Sequence, residues 1–68
     1  MSDVHGVEVD FGHGTEHIKE LLRKMDKHDA MKFFDHARDN HGKSGIMNSR
    51  IEHTKEGDED HFSVHLHN

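Results

Sequence analysis

The chain has 68 residues, enough for one small domain and too few for an enzyme built from two lobes. It contains no Cys but ten His, which excludes disulfides and cysteine nucleophiles and leaves imidazole abundant. Its 14 acidic and 9 basic side chains give a net charge of −5 with His neutral. This balance disfavours nucleic acid and anionic membranes as partners. With no apolar run of membrane-spanning length and no leader-like start, we expect a soluble, cytoplasmic protein.

The pattern of residues 1–25 predicts a strand that leads into a helix. Residues 1–4 are expected to form a loose terminus, and residues 5–11 alternate apolar and polar side chains as a half-buried strand does. Gly12 and Gly14 are expected to make the turn that follows, with Thr15 as N-cap of the helix. The helix is predicted over 15–25, where apolar residues recur at the spacing i, i+3, i+4, i+7.

The rest of the chain predicts a second helix and a hairpin. The apolar stripe of residues 27–41 is centred roughly 110° around the helix axis from the first stripe, so one straight helix would face two directions. We therefore predict a break with Asp26 as N-cap of the second helix. A linker is expected over 42–45, and two strands of a hairpin over 46–55 and 61–67.

These elements predict an α+β fold in the order β-α-α-β-β. We expect a single domain in which a three-stranded, mostly antiparallel sheet carries the helical pair on one face. A hairpin loop over 57–60 would place Glu56 opposite His61 and Glu52 opposite His65. In that register His53 turns inward, where its ring should find a polar partner.

This predicted register allows two alternative kinds of histidine site. His65 and His67 share one face of a strand about 6.6 Å apart, and Glu52 across the ladder could complete a transition-metal site for Zn or Ni. The pairs Glu56 with His61 and Glu52 with His65 would instead strengthen the hairpin when the imidazoles are protonated, which is the behaviour of a pH-responsive module. The plain alternative is a wet sheet face of polar side chains with no cofactor.

The sequence therefore favours a binding protein. No spacing marks a nucleophile or general base, so we expect no enzyme. The acidic surface suits a protein partner with a basic site, which the chain would bind as a regulator or inhibitor. A metal-binding histidine-rich protein is the first alternative, and a pH-responsive interaction module is the second. A homodimer and an origin in a virus or mobile element are also open.

Overall fold

A β-hairpin begins the fold in the computed structural model, which describes residues 2–40 and 43–67. Its strands β1 (Ser2–Val4) and β2 (Val7–Phe11) pair antiparallel. His5 and Gly6 form the two-residue turn with φ of 52° and 87°, the left-handed pair that a type I′ turn requires. Histidine is one of the few residues other than glycine that enter this region readily.

The prediction of a loose terminus over residues 1–4 is wrong for residues 2–4. Val4 is fully buried and pairs with Val7 across the hairpin. The predicted strand over 5–11 consequently begins two residues later, since its first two residues form the turn. A three-residue strand is too short to display the alternation by which a strand is recognised in a sequence.

Two helices follow, α1 (Glu16–Lys24) and α2 (Lys27–Asp39). They lie inside the predicted ranges 15–25 and 27–41, of which residue 41 is outside the described part of the chain. The predicted break is present, because Met25 is extended and the Asp26 carboxylate accepts a hydrogen bond of 3.1 Å from the His28 N–H. Asp26 thus caps α2 as predicted.

The start of α1 differs from the prediction in one detail. Thr15 occupies the N-cap position, but its hydroxyl donates a 2.6 Å hydrogen bond to the Gly12 carbonyl instead of accepting one from the helix. Thr15 is fully buried, so this bond satisfies its hydroxyl. The Thr15 hydroxyl therefore stabilises the turn between β2 and α1 and does not cap the helix.

The remaining strands are β3 (Lys43–Ser44), β4 (Ser49–Glu56) and β5 (Glu59–Leu66). The sheet order is β1-β2-β5-β4-β3, and β2 runs parallel to β5 while the other pairings are antiparallel. The α+β class is confirmed, but the prediction of a three-stranded, mostly antiparallel sheet is wrong: the sheet is mixed, with four strands of three or more residues and the two-residue β3 at one edge. Parallel neighbours need a long connection, and here it comprises both helices together with β3 and β4.

The boundaries of the C-terminal strands also differ from the prediction. Residues 43–44 of the predicted linker form β3, and residues 46–48 of the predicted strand form a turn. β4 and β5 are joined by the two-residue turn Gly57–Asp58, not by the four-residue loop that was predicted. The pairing is therefore shifted by two residues, so each side chain keeps its face but changes its partner.

One face of the sheet and the two helices bury a single cluster of apolar side chains. The helices contribute from one stripe each, and the strands contribute every second residue. The other face of the sheet carries polar side chains that are exposed or half-exposed. The buried apolar residues are Val4, Val9, Ile18, Leu22, Ala30, Phe34, Ala37, Ile51, Phe62 and Val64.

Candidate functional site

The structure does not assemble the predicted metal ligands. Glu52 lies opposite Ser63, not opposite His65 as predicted, and its carboxylate is 3.7 Å from the Nε of Arg50. His65 faces Arg50 and its Nε2 is 3.1 Å from the Ser63 hydroxyl, while His67 follows the end of β5. Within residues 2–40 and 43–67, no group of three or more His, Asp or Glu side chains could hold a metal ion. Binding of zinc or nickel stays a prediction.

The observed register does not place either predicted histidine–glutamate pair in directly opposed positions. In the observed register His61 lies opposite Thr54 and Glu56 lies opposite Glu59. The His61 Nε2 is instead 3.5 Å from the carboxylate of Glu59, two residues earlier on its own strand. The two-residue shift of the hairpin separates both predicted pairs, because each glutamate moves to a diagonal position relative to its histidine.

His53 forms the shorter of the two histidine–carboxylate contacts in the described residues. It turns inward as predicted, its side chain is 13% exposed, and its Nε2 donates to the Asp60 carboxylate over 2.7 Å. Its ring lies 5.1 Å from the ring of Phe62, which is buried in the core. A guanidinium nitrogen of Arg38 on α2 is 3.8 Å from the same carboxylate. The contact therefore joins both strands of the hairpin to α2.

This arrangement perturbs the acid chemistry of Asp60. The hydrogen bond from His53 lowers the pKa of the Asp60 carboxyl below its usual value of 3.8, and the charges of His53, Lys55 and Arg38 lower it further. Desolvation opposes the change without reversing it. Because the pKa is lower in the folded state, ionised Asp60 stabilises the fold above its unfolded pKa, and that contribution disappears as the pH falls through the folded one.

Replacing Asp60 with Asn should therefore destabilise the fold in a pH-dependent way. We expect Asp60→Asn to have a lower free energy of unfolding than the wild type at pH 6, and the two to converge below the lowered pKa, where wild-type Asp60 is also uncharged. Urea unfolding followed by circular dichroism between pH 3 and 7 measures the difference. The control is Asp58→Asn in the exposed hairpin turn. A deficit in Asp60→Asn that is the same at every pH would contradict the assignment.

Carboxylates dominate the open face of the sheet. The strand registers place two pairs of them directly opposite each other, Asp3 with Glu8 and Glu56 with Glu59. Like charges in directly opposed positions destabilise a sheet. The basic residues at this face are Arg50 and Lys43, which the register of β3 places opposite Glu52, together with the histidines of β5. The outward carboxylates are Asp3, Glu8, Asp10, Glu52, Glu56 and Glu59.

A shallow depression lies at the centre of this acidic face. It has a volume of about 270 Å³ and includes Glu8 and Asp10 of β2, Glu56 of β4 and His61 of β5. Glu8 and Asp10 are separated by about 6.7 Å, the spacing of alternate residues along a strand. The acidic side chains are thus spread over neighbouring strands as a surface and do not converge on one point.

The helical layer differs from the sheet in its charge. Residues 16–39 hold six basic and six acidic side chains, so this layer has no net charge with His neutral. Some of these charges pair within α2, as in the contacts of Lys32 with Asp29 and of Arg38 with Asp35. The negative charge of the chain is therefore concentrated on the open face and the turns of the sheet.

Comparisons with known proteins add no family to this description. No protein-family model, no curated protein and no solved structure matches the chain. In the part of the chain that the structure describes, neither helix is long and apolar enough to cross a membrane. The arrangement of charge on the sheet is accordingly the observation from which a function can be argued.

Proposed function

We propose that the chain is a non-catalytic binding protein whose open sheet face docks on a basic surface of a partner protein, which it regulates or inhibits. The observation that carries the proposal is the pair of like-charge contacts, Asp3 opposite Glu8 and Glu56 opposite Glu59, on that face. Like charges placed directly opposite each other destabilise a sheet, so each pair lowers the stability of the free chain. A cationic partner would relieve both costs at once.

The distribution of charge supports a protein partner of this kind. A surface with six carboxylates against two basic residues, Arg50 and Lys43, keeps a negative charge that attracts cationic surfaces and accelerates their association. Because the helical layer has no net charge, the sheet face is the surface that attracts a cationic partner. Since exposed charges are screened by salt, association through this face should weaken steeply as ionic strength rises.

Neutralising the face should abolish binding while stabilising the chain. The face variant carries Glu8→Gln, Asp10→Asn and Glu56→Gln, and we expect it to retain less than about a tenth of the wild-type affinity because charge pairs across the interface are lost. Its free energy of unfolding should equal or exceed that of the wild type, since both like-charge contacts are removed. Capture from native cell extract at neutral pH and low salt, followed by mass spectrometry and calorimetry on the captured protein, measures the effect.

The matched control neutralises three carboxylates on the helical layer. Glu16→Gln, Glu20→Gln and Asp39→Asn change the net charge by the same amount as the face variant and lie away from the sheet face. The proposal expects the control to capture the same basic protein as the wild type. Equal losses in the two variants would reduce the effect to net charge, and equal retention would exclude the sheet face as the docking surface.

A further inference from the structure

One end of the sheet has a depression whose described lining contains no carboxylate. It has a volume of about 630 Å³ and is lined by residues 44–50 and His67. Three other depressions, on the helices and on the sheet, each include at least one Asp or Glu. In a chain of net charge −5, this depression is a local exception.

Its polar side is made by Arg50 and His67. Arg50 begins the outward face of β4, directly opposite His65 of β5. The backbone N–H of His67 donates a 2.7 Å hydrogen bond to the Asn48 carbonyl, which holds the end of the chain beside the turn. The carboxylate that approaches Arg50 is that of Glu52, whose oxygen is 3.7 Å from its Nε. The guanidinium has further N–H groups with which it can bind an anion.

Its apolar side is made by the turn between β3 and β4. The Ser49 N–H donates to the Ile46 carbonyl over 3.0 Å, and the two residues between them, Met47 and Asn48, have φ of 49° and 59°. A methionine in this left-handed conformation is strained by about 1–2 kcal/mol. Met47 is nevertheless 54% exposed, so an apolar side chain faces water in the depression that Arg50 also lines.

We propose that this depression binds a small organic anion that carries a carboxylate on an apolar chain. The Arg50 guanidinium donates a charge-assisted hydrogen bond to the carboxylate, and the His67 imidazole lines the same depression and offers a second ring N–H donor. Ile46 and Met47 contact the apolar chain of the ligand. This inference uses Arg50 and His67 at one end of the open face, and its test needs no basic partner protein.

The probe is hexanoate, titrated into isotopically labelled protein while backbone amide signals are followed by NMR. We expect saturable shifts confined to residues 44–50 and 67, with a Kd of about a millimolar. Acetate lacks the apolar chain and hexanol lacks the charge, so each should bind at least about tenfold more weakly. Equal affinity for hexanol and hexanoate would overturn the role of Arg50, and the absence of saturable shifts would overturn the site.

Two substitutions change the charge of the site in opposite directions. Arg50→Gln should weaken hexanoate at least about tenfold, whereas Glu52→Gln should strengthen it because the competing carboxylate is removed. Arg23→Gln on the exposed face of α1 makes the same change in net charge away from the site and should leave the affinity unchanged. Hexanoate binding that is equal in Arg50→Gln and the wild type would overturn the proposal.

Discussion

Replacing Phe34 with Ala is expected to leave the chain unfolded at room temperature. Phe34 is 2% exposed on α2, and its ring meets that of Phe62 on β5 edge to face at 5.0 Å. The Phe62 ring in turn contacts His53 on β4, so the side chain of Phe34 connects the helical layer to the centre of the sheet. Truncating a buried Phe to Ala costs about 3–5 kcal/mol.

That loss is comparable to the whole stability available to a chain of this size. Below about 70–80 residues a single hydrophobic core rarely supplies more than about 3–5 kcal/mol. Far-UV circular dichroism and urea titration should therefore show no cooperative transition for Phe34→Ala. A cooperative transition with a midpoint close to that of the wild type would contradict the central role of this ring.

Two further substitutions test whether the loss of stability depends on position 34 itself and on an aromatic ring at that position. Phe33→Ala removes a ring that is only partly buried beside the core and should leave a folded chain with a smaller deficit. Phe34→Leu keeps most of the buried volume, so its cost should be below about 1.5 kcal/mol. If Phe33→Ala were as damaging as Phe34→Ala, the two rings would be equivalent and the packing against Phe62 would not be decisive.

The sequence permits these core residues to be predicted because burial is periodic within each element. Ile18 and Leu22 share one helical stripe, Phe34 and Ala37 share another, and Val64 alternates with exposed neighbours along its strand. Such patterns depend on a residue's own element and not on the neighbours of that element. The break between the helices was predictable for the same reason, since two stripes at different angles cannot serve one straight helix.

Register and strand order could not be predicted in this way. A hairpin shifted by two residues has the same inward and outward faces, so the apolar pattern does not distinguish Glu56 opposite His61 from Glu56 opposite Glu59. The turn sets the register, because Gly57 adopts a φ of 64°, which permits a two-residue connection between β4 and β5. The Glu56–Glu59 pair and the His53–Asp60 contact both depend on this register, which is why the apolar pattern of the sequence did not indicate them.

The turn after β2 provides a second prediction with a large effect. Gly12 and Gly14 were expected to serve the turn alike, but only Gly14 has a positive φ, of 81°. Gly12 is required for close approach: its N–H donates to the Val64 carbonyl over 2.8 Å, extending the parallel contact of β2 with β5. A Cβ at Gly12 would lie 3.0 Å from that carbonyl oxygen and 3.3 Å from Nδ1 of His65.

Gly12→Ala should therefore lower the free energy of unfolding by about 1–3 kcal/mol, the usual cost of forcing added volume into a packed site. The Val64 oxygen belongs to the backbone of β5 and cannot move without disturbing the sheet, whereas the imidazole can rotate away. Adding His65→Ala to Gly12→Ala should consequently restore only part of the loss in a double-mutant cycle. Urea unfolding of the four proteins measures both terms. A loss below about 0.5 kcal/mol in Gly12→Ala, or its full recovery by His65→Ala, would show that β2 and β5 do not depend on this backbone contact.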